Sequence, residues 1–230
     1  MEDFQARKDF LDSLKEVDCL LELARKSEES HPVHSALLKS SILLLASKLE
    51  SFIEAVVEEC RYYIERCHLD ARILPPALIA AVLKTTVDDA LNIKIRSGNL
   101  SSLEGLKCLL PFLSGAMVPA LPIEVGFSYG KHGEAEFRKI FKRLGIDDVF
   151  DAAEEASGEV DFSVAVRADI NSLTAIRNNI IHNDASPSFT VEQVDGFVNK
   201  MKVLSSSICT ILLTHCNELR KMDALLYEGM

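Results

Sequence analysis

Two long stretches of the chain carry an apolar side chain at every third or fourth position, and this spacing strongly constrains the fold. In the first stretch, from about residue 32 to 67, the main apolar stripe is Leu38, Ile42, Leu45, Leu49, Phe52 and Val56. The second starts near Thr190 and repeats Val194, Phe197, Met201, Leu204, Ile208, Ile211, Leu212 and Leu219. Side chains with this period share one face of an α-helix, so each stretch predicts a long helix with a buried face.

Shorter stretches with similar spacing predict further helices at about residues 3–26, 75–91, 100–113, 133–144, 146–155 and 162–182. Gln193 follows Thr190 by three residues, which is typical of a capping box at a helix start. No stretch shows the alternation that is typical of strands, and glycine and proline are few, at 10 and 7 residues. We therefore predict an all-α, up-and-down helical bundle, with residues 1–230 as one domain and a helical or irregular insertion at about 70–130.

The overall charge limits how the protein can contact nucleic acid. The formal net charge is −10, which argues against a broad electropositive surface but leaves room for a small basic site. One basic concentration is present: Lys131, His132, Arg138, Lys139, Lys142 and Arg143. This cluster either contacts an RNA backbone, which requires mostly charge, or forms a solvated helix face.

Several classes of protein are disfavoured by what the sequence lacks. The six cysteines include no C-x-x-C pair, so we expect reduced thiols in the core and neither a metal site nor a bound cofactor. The N-terminal residues do not resemble a secretory signal, and the longest apolar run, 77–83, is too short to span a bilayer. These features predict a cytoplasmic protein that does not associate with membranes. Gly126 to Gly130 match the G-x-S-x-G pattern of hydrolases, but without a parallel sheet we interpret this as a chance match.

The strongest chemical signal is the hexapeptide Arg177 to His182, near the end of a predicted helix. At roughly 100° per residue, Arg177 falls inside the apolar arc, and His182 lies roughly 140° away from it. Asn178 and His182 are four residues apart and therefore neighbours, so Asn178 can orient the imidazole. Arg and His are the two residue types that metal-free RNA cleavage needs, one to hold the phosphate and one to move protons.

An arginine that points into an apolar face needs a partner, because an unpaired buried charge is costly. Three partners are conceivable: Glu50, which stands in an apolar row of the second helix, a substrate phosphate, or a second copy of the chain. If Glu50 is the partner, Arg177 locks two helices together and His182 merely ends one. Glu50 is thus either a site residue or a structural partner.

Three segments carry a family resemblance. Leu173 to Asn183, which contains the Arg–His motif, resembles the signature of the HEPN superfamily (higher eukaryotes and prokaryotes nucleotide-binding domains). Leu44 to Phe52 is similar to the long second helix of its RiboL-PSP-like branch. Phe137 to Asp147, which includes a Leu-Gly-Ile turn, is similar to the segment that precedes the motif helix. Asn183 replaces the glycine that often follows the histidine, and we expect it to form the left-handed helix end.

The resemblance implies a helical bundle that forms homodimers, in which two Arg–His motifs meet in one composite site. It implies metal-independent endoribonuclease activity of the kind found in toxins and antiviral effectors, with RNA as substrate and an antitoxin or regulatory protein as a possible partner. Arg177 would bind the phosphate, His182 would act on the ribose 2′-OH or the leaving oxygen, and Asn178 would support them. The alternative is a non-catalytic helical module that binds a protein or a nucleotide.

Overall fold

The computed structural model describes residues 3–97, 107, 110, 112, 132–185 and 189–228. Seven α-helices and one short 3₁₀ helix account for most of this part of the chain, and no strand occurs in it. In chain order the α-helices are α1 Gln5–Lys26, α2 His31–Arg66, α3 Pro76–Ser97, α4 Glu134–Arg143, α5 Val149–Ser157, α6 Phe162–Asn183 and α7 Val191–Glu228. The predicted all-α bundle is confirmed.

Helices α1 and α2 form the most extensive pair in the bundle. The rings of Phe10 and Phe52 stack between them, with centroids 4.8 Å apart. The α1 N-terminus is capped by α2, because the Glu59 carboxylate accepts hydrogen bonds from the backbone N–H groups of Gln5 at 2.9 Å and Ala6 at 3.0 Å. A carboxylate at this end also favours the helix dipole. The pairing therefore combines apolar burial with a charged cap.

Helix α7 packs against α1, α2, α5 and α6, so its apolar stripe lies at the centre of the bundle. The capping box at its start is confirmed: the Thr190 N–H donates to Gln193 Oε1 at 2.9 Å, and the Gln193 N–H donates to Thr190 Oγ1 at 3.3 Å. Buried side chains from all seven helices join into one hydrophobic cluster. The apolar spacing in the sequence therefore identified the faces that meet in the core.

The turn after α4 depends on a glycine. Gly145 has φ of 91°, which L-residues rarely adopt, and a Cβ at this position would lie 2.4 Å from Pro75 Cβ. The turn is thus pressed against the residue that precedes α3. The same Cβ would lie 3.8 Å from His215 Cε1 on α7. Gly145 therefore allows α3, α4 and α7 to meet at one point.

Some predicted boundaries were wrong. Helix α3 continues beyond residue 91 to Ser97, because no proline or glycine interrupts the sequence before Gly98. Helix α5 begins at Val149 rather than near 146, because the Asp148 side chain caps it by accepting from the N–H groups of Phe150 and Asp151. The predicted helix at 100–113 lies largely outside the described residues, and the G-x-S-x-G match lies wholly outside them.

The prediction of reduced core thiols holds for three cysteines and fails for Cys19, whereas Cys67 is half-buried and Cys108 lies outside the described residues. Cys60, Cys209 and Cys216 are buried free thiols, and the Sγ atoms of Cys60 and Cys216 are 3.5 Å apart. Cys19 is exposed, because it lies on the side of α1 opposite the buried stripe of Leu14, Val17 and Leu21. Burial raises the pKa of the Cys209 thiol to about 12. In the described part of the chain, no helix is both long and apolar enough to cross a membrane.

Candidate anion-binding site on helix α6

Arg177 lies on the inner side of α6, as its position in the apolar arc predicted. Its side chain is 21% exposed, and its Nε atom is 3.8 Å from Glu50 Oε1 on α2. This distance is an ion-pair distance and exceeds that of a hydrogen bond. Among the described residues Arg177 has no hydrogen-bond partner, so the donors of its guanidinium are not committed to Glu50.

A histidine faces the same carboxylate oxygen. The Nδ1 atom of His132, in the segment before α4, lies 3.0 Å from Glu50 Oε1. The distance is short, but the Nδ1 position does not satisfy the geometry of a hydrogen bond. The sequence grouped His132 with the basic cluster, and its side chain proves to be only 15% exposed and to face Glu50.

The carboxylate at the centre of this site is destabilised by its position. Burial raises the pKa of Glu50 above the ordinary value of a glutamate, and the nearby Glu54 raises it further. Arg177 and His132 oppose that rise, but they do not cancel it. Burial and Glu54 together therefore disfavour the charged carboxylate more than Arg177 and His132 favour it. Glu50 balances charge in the site without forming a tight hydrogen-bonded pair.

The histidine of the motif occupies a different environment. His182 is exposed in the last turn of α6, and no hydrogen bond joins it to Asn178 in the described part of the chain. The left-handed end of the helix falls at Asp184, with φ of 48°, and not at Asn183 as predicted. Lys39 of α2 determines this end, because its Nζ donates to Asp184 Oδ1 at 2.6 Å and to the Asp184 carbonyl at 2.9 Å.

The segment that carries His132 is attached to α6. Thr174 Oγ1 donates to the His132 carbonyl at 3.0 Å, and Asn171 Oδ1 accepts from the Glu134 N–H at 3.1 Å. Gly133 lies so close to this helix that a Cβ on it would be 3.0 Å from Asn171 Oδ1. Because Thr174 precedes Arg177 by one turn, α6 fixes the backbone of His132 relative to the guanidinium. No local sequence pattern indicated this contact.

The rest of the basic cluster is partly neutralised. Lys131 lies outside the described residues. Arg138 pairs with Glu134 at 2.9 Å and approaches Asp148 at 3.7 Å, and Lys139 pairs with Glu136 at 3.0 Å. Lys142 is exposed and Arg143 is half-buried. Lys139 and Arg143 also line an open cleft between α3 and α4, together with Lys84 and Asp88 of α3. The described residues contain no group of three or more His, Cys, Asp or Glu placed to hold a metal ion.

Comparison with known proteins extends the resemblance over most of the chain. The family model described as RiboL-PSP-HEPN matches residues 8–214, a span that includes the Arg–His motif, Glu50 and His132. Comparison with curated proteins and with solved structures found no match. The matched span covers most of α1, all of α2 to α6 and the larger part of α7, and the fold is the helical bundle that the HEPN resemblance implied. The chain therefore belongs to the RiboL-PSP-HEPN family, within the HEPN superfamily.

Proposed function

We propose that this protein is a metal-independent endoribonuclease that acts as a homodimer, with Arg177 and His182 as its catalytic pair. Membership of the HEPN superfamily suggests a nuclease-like or nucleotide-binding module. The observation that carries the finer proposal is the burial of Arg177 together with its loose pairing to Glu50. Its guanidinium is largely buried beside a carboxylate that it does not hydrogen-bond, and such a group matches the oxygen pair of a phosphodiester.

The positions of Arg177 and His182 favour a site shared between two chains. The two residues are about 7.5 Å apart along the helix axis, at a rise of about 1.5 Å per residue. One side chain is directed towards α2, whereas the other is exposed at the helix end. A second chain that packs beside the C-terminal end of α6 would bring its own His182 towards the accessible edge of the first chain's Arg177, which is 21% exposed.

The outer face of α6 supports such packing. The exposed positions of this helix carry no Asp, Glu, Lys or Arg, although charged residues make up 26% of the chain. These positions are Val164, Ala168, Asn171, Ser172, Ala175, Asn179, Ile181, His182 and Asn183. Charged side chains are depleted at the centres of protein interfaces. A second copy of α6 could lie on this face without burying unpaired charge.

In the proposed reaction, the ribose 2′-OH attacks the adjacent phosphorus and the 5′-oxygen of the next nucleotide leaves. The products are a 2′,3′-cyclic phosphate and a 5′-OH, so no water is consumed in this step. His182 of one chain takes the 2′-OH proton, and a proton returns to the leaving oxygen. Arg177 stabilises the negative charge that develops on the phosphate oxygens. Asn178, the neighbour of His182 on the helix, supports the imidazole once the dimer orders it.

The test is cleavage of a labelled RNA oligonucleotide in EDTA by the wild type, Arg177→Ala and His182→Ala. We expect each substitution to lower the rate by about a hundredfold or more, the usual contribution of acid–base and charge-stabilising groups. His31→Ala removes an exposed imidazole at the start of α2 and serves as the matched control. Undiminished cleavage by both site variants, with folding intact by circular dichroism, would refute the proposal.

Mixing the two inactive variants tests the dimer separately. If Arg and His act from different chains, a dimer of one Arg177→Ala chain and one His182→Ala chain retains one intact pair. We therefore expect part of the activity to return after the two proteins are mixed. Activity that stays absent in the mixture, while sedimentation confirms exchange of subunits, would mean that each chain uses its own pair. A strictly monomeric wild type would also exclude the shared site.

The second candidate is a non-catalytic module that binds a protein partner or a nucleotide. The proximity of Glu50 to Arg177 favours it, because this ion pair joins α2 to α6 whether or not a substrate binds. It predicts that the wild type cleaves no RNA, while nucleotide or partner binding persists. In cells, the nuclease should arrest growth unless an antitoxin or regulatory partner restrains it, and the binding module should not.

A further inference from the structure

The last turn of α6, which carries His182, lies outside the hydrophobic core. Ile180 is the final buried residue of this helix, and residues 181–184 are all exposed. The last carbonyl groups of a helix have no hydrogen-bond partner within it, so a helix end without core contacts frays readily. The position of the His182 backbone therefore depends on the contacts that hold this end in place.

Lys39 on α2 supplies such a contact. Its Nζ atom donates at 2.9 Å to the carbonyl of Asp184, the residue that caps α6, and at 2.6 Å to Asp184 Oδ1. The Lys39 side chain is only 20% exposed, whereas that of Asp184 is 95% exposed. An ion pair with so exposed a carboxylate contributes little, so the contact with the carbonyl matters more. It places a positive charge at the negative end of the helix dipole.

The capped turn encloses His182. The Asp184 N–H donates to the Ile180 carbonyl at 3.1 Å, and the Ala185 N–H donates to the Asn179 carbonyl at 3.4 Å. His182 lies between the two ends of both hydrogen bonds. A contact that fixes the Asp184 carbonyl therefore also fixes the backbone of His182.

One face of α2 contacts α6 at both ends of the Arg–His motif. Lys39 and Glu50 are 11 positions apart, which places them about 20° apart around α2 and about 16.5 Å apart along it. Glu50 lies 3.8 Å from Arg177, and Lys39 holds the residue two positions after His182. Helix α2 thus serves as a common support for Arg177 and for the turn that carries His182.

We propose that Lys39 is a positioning residue for His182. It fixes the last turn of α6 against α2, so that the imidazole has a defined position when it meets the Arg177 of a second chain. This inference rests on the proposed function and adds to the same site a residue outside the Arg–His motif.

The experiment compares Lys39→Met, which keeps the aliphatic stem and removes the amino group, with a matched control. Lys48→Met removes another lysine of α2, which pairs at 2.8 Å with Glu16 on α1. We expect Lys39→Met to lower kcat for RNA cleavage in EDTA by about tenfold to a hundredfold, the effect of displacing a catalytic group. Lys48→Met should cleave like the wild type. Lys39→Arg should retain most of the rate, because a guanidinium can donate to the same carbonyl.

Binding should be unaffected, because Lys39→Met leaves Arg177 in place. A labelled single-stranded oligonucleotide with 2′-deoxyribose throughout lacks the nucleophile, so it remains intact on the protein and reports binding alone. We expect Lys39→Met to bind it as tightly as the wild type does. A loss of binding as large as the loss of kcat would contradict a role through His182.

A purely structural role predicts a different pattern. In that case Lys39→Met lowers the melting temperature, but the folded protein cleaves RNA with the kcat of the wild type, and this result would overturn the inference. Amide hydrogen exchange provides a readout that does not depend on activity. Exchange at residues 182–184 should be faster in Lys39→Met than in the wild type and unchanged in Lys48→Met. Equal exchange in Lys39→Met and the wild type would show that Lys39 does not hold this turn.

Mixing of variants identifies the residue through which Lys39 acts. The contact between Lys39 and Asp184 lies within one chain, so Lys39→Met affects the His182 of its own chain. A dimer of one Lys39→Met chain and one Arg177→Ala chain retains one intact Arg–His pair, and part of the activity should return. A dimer of Lys39→Met with His182→Ala retains none and should stay inactive. The reverse pattern would exclude the assignment of Lys39 to His182.

The two proposals fail in distinguishable ways. If Arg177→Ala and His182→Ala still cleave RNA, the nuclease proposal fails, yet faster amide exchange in Lys39→Met still shows that Lys39 holds the end of α6. If both site variants lose cleavage while Lys39→Met cleaves normally, only the role of Lys39 is wrong.

Discussion

The Glu50→Gln substitution tests whether the Glu50 carboxylate stabilises the bundle or only balances charge in the proposed substrate site. Two unit charges 3.8 Å apart attract by about 4 kcal/mol before desolvation, at an effective dielectric constant of about 20. Burial, with a smaller contribution from Glu54, nevertheless raises the pKa of Glu50, so together they outweigh the attraction of Arg177 and His132. We expect the substitution to leave the free energy of unfolding at pH 7 unchanged or to increase it by about 1 kcal/mol at most, the range of partly solvated ion pairs.

The sign of this effect depends on pH. Because the pKa of Glu50 is raised in the folded protein, the protonated carboxyl favours folding below about 4.5, and this contribution is lost as pH rises through the folded-state pKa. The advantage of Glu50→Gln over the wild type should therefore be present at pH 7 and absent at pH 4. Urea unfolding followed by circular dichroism measures both values. Glu58→Gln, which removes an exposed carboxylate paired with Arg61 on the same helix, is the control.

A locking ion pair would give the opposite result. Removal of one partner of a buried pair usually costs about 3–5 kcal/mol, because the other charge remains uncompensated. A loss of this size in Glu50→Gln would refute the reasoning above and support the structural role of Arg177. If the carboxylate instead competes with phosphate, Glu50→Gln should bind the 2′-deoxy oligonucleotide more tightly than the wild type. Weaker binding would show that the Glu50 carboxylate helps to position the other side chains of the site and does not compete with phosphate for Arg177.

Two further predictions concern the junction of α3, α4 and α7. Gly145→Ala should lower the free energy of unfolding by about 2 kcal/mol or more, because the left-handed conformation and the 2.4 Å approach to Pro75 both penalise a Cβ. A melting temperature equal to that of the wild type would contradict this prediction. Burial lowers the pKa of His215 below its usual 6.5, so its contribution to stability is present above that pH and is lost as pH falls. His215→Gln should therefore flatten the decline in stability between pH 7 and 5, measured by urea unfolding, and an unchanged slope would exclude His215 as its source.

The long-range pairing of Glu50 with Arg177 could be predicted from the sequence because both residues interrupt apolar rows. A charged residue in such a row faces the core, and two opposite charges in two rows that pack together tend to meet. The helices themselves were predictable for the same reason, since the apolar stripes of α2 and α7 extend over many turns. Their exact ends were not, because local caps such as Asp148 and the Lys39–Asp184 contact override the apolar period.

His132 could not be assigned to the site from the sequence. It lies outside every helix, 82 positions after Glu50 and 45 before Arg177, so no helical period relates it to either of them. Its position results from polar contacts of Thr174 and Asn171, which are ordinary residues at ordinary positions of α6. Only the bundle brings these segments together. The nearby arginines and lysines also made His132 resemble part of a surface cluster.

A carboxylate at the centre of a proposed phosphate site has a physical use in this protein. The charge of Arg177 would be poorly solvated without a counter-charge, and Glu50 supplies one before a substrate binds. The same carboxylate competes with any incoming anion, because the anion must offer Arg177 better contacts than Glu50 does. A single weak anion gains little by displacing it. A phosphodiester can present two oxygens to Arg177 while a second chain supplies His182, so the proposed composite site would favour RNA over small anions.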